Sequence, residues 1–236
     1  MSGCWPRSRQ FESGKPFSRG ATGLPAELWS LVLAAGGSRR LGAPKQLLRI
    51  RGRTLLSRII SAAEAVTPGR VVVVIGADAL RMRLLIRRHH RGTHSVDNSR
   101  WAKGMAGSLQ VGLSVLPLRA SAVLLLLSDQ PAVGAASLHR LIRAWRRRPG
   151  KAAAAVYAGV VGVPAILPRT LWKDARRLRG DEGARRLLRI EEMPFAAVHM
   201  PEAAWDIDTP EDLKRLRDGI RFTRQGSVGH GWPSHG

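Results

Sequence analysis

Short, wholly apolar runs alternate along the chain with longer segments in which apolar residues recur every three or four positions. Val71–Ile75, four valines and an isoleucine, and Ala122–Leu127 are apolar at every position, which suits strands covered on both faces. Leu28–Ala34 is a third such run and leads into a Gly-rich turn. Shorter strands are predicted at 94–97, 152–156, 160–167 and 196–200. Helical periodicity predicts helices over 54–66, 79–89, 105–116, 135–148, 168–179 and 181–190, with a closing helix over 210–218 that carries Pro210 in its first turn. Strands alternating with helices imply an α/β fold of three layers, Rossmann-like, with a mostly parallel sheet between helices. Ligands of such sheets lie at the carboxyl ends of the strands, so residues just after each strand carry most weight.

A structured unit is expected over 30–219. Residues 1–29 are Gly-, Ser-, Pro- and Arg-rich without apolar periodicity and read as a disordered extension; 220–236 read as a disordered tail. The extension lacks the apolar stretch of a secretory signal. No apolar run approaches the roughly 20 residues that span a bilayer, so a membrane-spanning role is not expected. Cys4 is the only cysteine, which excludes an internal disulfide framework and a cysteine-rich metal site and fits a reducing, cytoplasmic compartment.

The charge balance raises a different partner. With 39 Lys and Arg against 17 Asp and Glu, the formal net charge is +22 and the pI near 11.8, values that suggest a polyanion. The excess is spread along the chain, however, rather than gathered in an arm. Arg81, Arg83, Arg87 and Arg88 alternate with Leu80, Leu84 and Leu85, and Arg140, Arg143 and Arg147 lie opposite Leu141, Ile142 and Trp145 at helical spacing. Those are solvated helix faces, and nucleic acid is not the expected partner.

Three segments carry candidate chemistry. The first runs from Leu33 to Lys45, where Gly36 and Gly37 let backbone amides approach a ligand and Arg40 and Lys45 add positive charge suited to phosphates. It is neither a Walker A loop, since Ala43 stands where lysine would follow Gly42, nor a Gly-x-Gly-x-x-Gly fingerprint. The second is Asp129, which follows an apolar strand at the sheet's carboxyl edge and suits either a Mg²⁺ ligand or a turn or cap residue. The third is Asp206-Ile207-Asp208-Thr209-Pro210, where carboxylates at i and i+2 of an extended segment point the same way and can share one hard cation. The same segment also fits a plain helix start with Asp208 as its cap, and Asp206 is the stronger metal candidate.

In order, these segments resemble the nucleotidyltransferases with the MobA-like fold, most closely the molybdenum cofactor cytidylyltransferases. The family pattern Leu-Ala-Ala-Gly-x-x-x-Arg-Met-Gly-x-x-Lys matches Leu33 to Lys45 with Leu41 in place of Met, its aspartate before a proline-ended turn matches Ser128-Asp129-Gln130-Pro131, and its late acidic motif matches Asp206 to Asp212. Asn98 with Trp101, Gly104 and Ser108, then Gly162-Val163-Pro164-Ala165, then Gly180 to Arg185 extend the similarity.

The resemblance implies a nucleotidyltransferase fold and Mg²⁺-dependent transfer of a nucleoside monophosphate from an NTP to a phosphate acceptor, with release of pyrophosphate. It implies that Gly36 and Gly37 cradle the phosphates, that Arg40 and Lys45 counter their charge, and that Asp129 with Asp206 and Asp208 holds Mg²⁺. It places Ala34, Ala35, Gly76, Asn98 and Ser108 at the nucleotide, and Gly162, Pro164, Gly180 and Arg185 at the acceptor. Ala35, where the guanylyl branch has glycine, points to CTP, and molybdopterin is the implied acceptor, its product passing to a molybdoenzyme or its chaperone. Guanylyl transfer, sugar-1-phosphate nucleotidyl transfer and a non-catalytic cofactor carrier are the alternatives. A phosphate nucleophile is already anionic, so no Ser-His-Asp triad is required.

Overall fold

The computed structural model describes residues 27–38, 40–148, 150–190, 195–209, 211, 212 and 214. In chain order the elements are β1 (Leu28–Ala34), β2 (Arg49–Ile50), β3 (Arg53–Thr54), α1 (Leu55–Val66), β4 (Val71–Ile75), α2 (Ala79–His89), β5 (Thr93–Asp97), α3 (Met105–Ser114), β6 (Ala122–Leu127), α4 (Ala135–Arg146), β7 (Ala153–Tyr157), β8 (Val160–Pro168), α5 (Trp172–Ala175), α6 (Ala184–Ile190) and β9 (Ala196–His199), with single 3-10 turns between them. Seven strands form one sheet in the order β5-β4-β1-β6-β8-β7-β9. The block β5-β4-β1-β6 is parallel, β8 runs antiparallel to both β6 and β7, and β9 is parallel to β7. The winding reverses at β1, whose neighbours β4 and β6 lead to opposite sides of the sheet, and that switch point opens a crevice at the carboxyl ends of β1 and β6.

Period-two alternation divides the apolar strand residues between two cores. Val32, Val73, Leu124 and Leu126 pack with Leu56, Ile60, Met82, Ile86, Leu138 and Trp145 from α1, α2 and α4. Leu31, Leu33, Val72, Val74, Val123 and Leu125 pack on the other face with Leu109, Leu113, Leu171, Leu178 and Leu187. Strands thus covered on both faces have no need of polar positions, which is why Val71–Ile75 is apolar throughout; each such side chain stabilises the fold by roughly 1.5–3 kcal/mol.

Three features depart from the sequence expectation. β2 and β3 form a hairpin too short to show as a strand pattern, closed by Arg51 and Gly52, both at positive φ (49° and 80°). Ala158 and Gly159, at φ 47° and 71°, close a second two-residue turn, so β8 folds back antiparallel on β7. The helix expected over 168–179 is instead a 3-10 turn, Arg169–Leu171, and the four-residue α5. The Gln110 side chain takes the carbonyls of Ala175 and Leu178 at 3.0 and 3.1 Å, which satisfies acceptors that a longer helix would bond internally. Likewise α6 begins at Ala184 rather than at 181, after Gly180 at φ 56°. The expected N-terminal extension (except 27–29), the tail and most of the closing helix over 210–218 lie outside the described residues.

Candidate active site

β1 ends at Ala34, and the loop that follows is shaped by two of its own side chains, Ser38 near its start and Gln46 at its far end. Buried Gln46 donates through Nε2 to the carbonyls of Ala34 (3.2 Å) and Gly36 (2.8 Å), and the Ser38 hydroxyl accepts from the Lys45 backbone N–H at 3.0 Å. The loop is therefore pinned at both ends, with Gly36 exposed. On its inner side Trp101 lies so close that a Cβ at Gly37 would stand 2.7 Å from the indole, and one at Gly76 would meet the Ala35 carbonyl at 2.6 Å. Glycine at both positions is a packing requirement, and Gly76 is a floor beneath Ala35 rather than a wall of the cleft.

Behind the loop, Asp129 follows β6, and the late acidic segment is fixed beside it. Ile207 donates its backbone N–H to the Asp129 carbonyl at 3.1 Å and buries its side chain with Ile50 and Leu55. With Ile207 turned inward, its neighbours Asp206 and Asp208 turn the other way. Thr209 and Asp212 form a reciprocal cap: Asp212 Oδ2 accepts from the Thr209 N–H at 2.9 Å, and Thr209 Oγ1 accepts from the Asp212 N–H at 3.2 Å. Asp208 is thereby spared the capping role. Lys45 Nζ lies 2.6 Å from Asp208 Oδ1 and 2.7 Å from Asp129 Oδ2, bridging the first loop to both acidic segments.

The electrostatics follow from this crowding. Burial works against the Lys45 ammonium, but Asp129 and Asp208 outweigh it and raise its pKa above the ordinary lysine value. Burial pushes the Asp206 carboxyl up, and the charges of Asp208 and Asp129 push it further, against a backbone hydrogen bond and Lys45. Asp129 Oδ1 is buried without a hydrogen-bond partner. Among the described residues no three His, Cys, Asp or Glu side chains converge closely enough to hold an ion by themselves. Mg²⁺ does not demand that, because it is ordinarily held by one or two carboxylates with water and substrate phosphates completing the shell. Hard carboxylate oxygens, one of them orphaned, fit such an ion. The two carboxylates that Lys45 joins are Asp129 and Asp208, and Asp206, the first candidate from the sequence, lies close enough to feel the charge of both.

The cleft between loop and sheet has a volume of about 310 Å³ and is lined by Ala34, Ala35, Gly36, Gly37, Lys45, Ser108 and Asp129, with Trp101 and Met105. Asn98 stands behind it, buried, with its amide donating to Ser108 Oγ at 3.0 Å. Arg40 is on the exposed part of the loop, outside that lining. A larger cavity of about 620 Å³ adjoins it and shares Met105, Leu127 and Asp181 with it. Gly162 and Arg185 line this second space, while Pro164 is buried within β8 after a cis bond and Gly180 packs under Gly104. Arg185 also faces the Tyr157 phenol, whose pKa is raised, burial being the main cause.

Sequence reasoning gave no role to Gln46 or Gln130. Buried Gln130 donates to the carbonyls of Val163 (2.9 Å) and Ala203 (2.8 Å), holding β8 against the segment before Asp206. Their one sequence signal was position, each directly following a residue already singled out, Lys45 and Asp129.

The cleft at the switch point thus combines a Gly-rich loop, a lysine and paired aspartates. The MobA-like NTP transferase domain matches residues 30–198. The chain belongs to that family. It is 31% identical over 196 residues to a probable molybdenum cofactor guanylyltransferase of Opitutus terrae, covering 79% of this chain and 93% of that one. It is 32% identical over 211 residues to the nicotine blue oxidoreductase of Paenarthrobacter nicotinovorans, covering 84% and 99%. Among solved structures, Rv0371c of Mycobacterium tuberculosis in complex with manganese superposes with a TM-score of 0.68 at 30% identity over 81% of this chain and 98% of that one. As a MobA-like protein with nucleotidyltransferase neighbours, this chain is a nucleotidyltransferase of α/β fold. No helix among the described residues is long and apolar enough to cross a membrane.

Proposed function

We propose that this chain transfers CMP from CTP to the terminal phosphate of a molybdopterin-type cofactor, with Mg²⁺, releasing pyrophosphate and forming a cytosine dinucleotide. The observation that carries the reading is the pair of adjoining cavities, about 310 and 620 Å³, meeting at Met105, Leu127 and Asp181 with the Lys45–Asp129–Asp208 cluster on the side of the smaller one. Two substrates that exchange a phosphoryl group need two such adjoining spaces.

In this reading the smaller cleft holds the nucleotide. The amides of Gly36 and Gly37 and the Lys45 ammonium meet its phosphates, and Arg40 closes from the loop crest. Ala34, Ala35 and Ser108 lie along the nucleoside, with Gly76 and Asn98 supporting them from behind. Asp129 and Asp208, with Asp206 beside them, hold Mg²⁺, which when bound neutralises charge on the transferring group. The larger cavity receives the acceptor: Arg185 meets its phosphate, Gly162 leaves room beside Tyr157, and Pro164 and Gly180 shape the walls. The acceptor phosphate is an anionic nucleophile at neutral pH, so the side chains position and neutralise rather than remove a proton. The choice of CTP rests on the resemblance at Ala35.

The test is pyrophosphate release by the purified protein with Mg²⁺ and molybdenum-loaded molybdopterin, offered CTP, GTP, ATP and UTP separately. Release with CTP alone, lost in Asp129→Asn, is the expected result. Release with GTP alone would replace cytidylyl by guanylyl transfer, and no release with pterin still bound would favour a carrier. The likeness to nicotine blue oxidoreductase supplies a second reading, a redox reaction, which predicts oxidation or reduction of a substrate without pyrophosphate release. The absence of a Gly-x-Gly-x-x-Gly turn after β1 places it second.

A further inference from the structure

Lys45 spans the gap between two carboxylates that come from distant parts of the chain, at 2.7 Å from Asp129 and 2.6 Å from Asp208. Its side chain is only 14% exposed. A divalent ion held by the same oxygens would sit in the place of the ammonium, since Mg²⁺–oxygen distances are about 2.1 Å and leave no room for a second cation between them. The lysine backbone has no comparable freedom to move. Its N–H is tied to Ser38, its carbonyl accepts from the Leu48 N–H at 3.0 Å, and adjacent Gln46 locks the loop to Ala34 and Gly36. What remains mobile is the four-carbon stem, and that stem also lines the nucleotide cleft with Gly36 and Gly37.

We propose that the Lys45 ammonium stands in for the divalent cation in the nucleotide-free protein, and that incoming phosphates draw it out of the carboxylates as the cation takes its place. The inference rests on the nucleotidyltransferase reading of the cleft and adds how its two charged ligands are coupled. In the free protein a cation must displace Lys45 into water, so the ammonium competes with it. Once phosphates are present, the displaced ammonium gains a new anionic partner and that loss is offset. Cation and nucleotide therefore assist each other's binding, and each raises the other's affinity by the same factor.

The experiment is Mn²⁺ binding without nucleotide, followed by the paramagnetic resonance signal of the free aquo-ion, for the wild type, Lys45→Gln and Lys45→Arg. Lys45→Gln should bind Mn²⁺ about tenfold more tightly than the wild type, and adding CTP should raise the wild-type affinity by a larger factor than that of Lys45→Gln. Lys45→Arg keeps a competing cation and should bind Mn²⁺ no more tightly than the wild type. A Lys45→Gln protein that binds Mn²⁺ no better than the wild type overturns the inference, and so does a Lys45→Arg protein that matches Lys45→Gln. Should Lys45→Gln be unfolded without metal, its recovery of a thermal transition on adding Mn²⁺ supports the inference, and failure to recover counts against it. Pyrophosphate release by the wild type is scored separately. Release without the Lys45→Gln effect sinks only the coupling, whereas the effect without release with any nucleotide sinks the catalytic reading.

Discussion

The side-chain amide of Gln46 donates to the Gly36 carbonyl at 2.8 Å from a position only 1% exposed. That bond, with its partner to Ala34, sets the curvature of the loop whose glycines line the cleft. Gln46→Leu strands two carbonyls at a cost of about 1–3 kcal/mol. At roughly 2–4 °C per kcal/mol for a chain of this size, the thermal midpoint should fall by several degrees. Because the loop loses its shape while Lys45 and Asp129 stay, KM for the nucleotide should rise by more than kcat falls. Steady-state kinetics with the acceptor saturating separate the two.

Gly37 tolerates no side chain while Trp101 keeps its place. Gly37→Ala should cost about 1–3 kcal/mol, the usual penalty for overpacking a tight contact. Pairing it with Trp101→Leu should restore most of the thermal midpoint, since the neighbouring ring is gone. Nucleotide affinity should not return in the double variant, because Trp101 lines the cleft. Calorimetry and nucleotide titration of both variants check the split.

Asp206 predicts a stability gain bound to a functional loss. Burial and its two acidic neighbours raise its folded-state pKa above the ordinary aspartate value. The folded form therefore favours the protonated group, so its contribution is most favourable below the unfolded pKa and is lost as pH rises through the folded pKa. Asp206→Asn should melt above the wild type at pH 7, by about 2 °C for a half-exposed group. The gap should close on acidification as the wild-type carboxyl takes up its proton. Pyrophosphate release should fall in the same variant, and a melting series from pH 7 to pH 4 tests the sign.

Arg185 and Tyr157 face the larger cavity and not the smaller one. Arg185→Ala should raise KM for the acceptor by about ten- to a hundredfold, the loss expected of one charge-assisted contact of 1.5–3 kcal/mol. KM for the nucleotide should stay within about twofold of the wild type. Varying one substrate at a time at saturating levels of the other measures both.

Much of this protein was legible in its sequence because local chemistry decided it. Val71–Ile75 and Ala122–Leu127 could only be strands covered on both faces, and α2 lies at 79–89 as its periodicity implies. The loop glycines, Lys45, Asp129 and the late aspartates announced themselves by residue type and by their place after strands. Tertiary structure decided what depends on distance across the chain. Two residues at positive φ turned β8 against its neighbours, a balance that two-residue strands and single turns do not display as a pattern. Gln46 and Gln130 acquired their roles from carbonyls brought to them by folding, which no residue type advertises. Lys45, 84 positions from Asp129 and 163 from Asp208, became their common counter-ion because the sheet's switch point gathers chain ends that sequence keeps apart. Residue chemistry fixed which groups were available, and the winding of the sheet fixed which of them would meet.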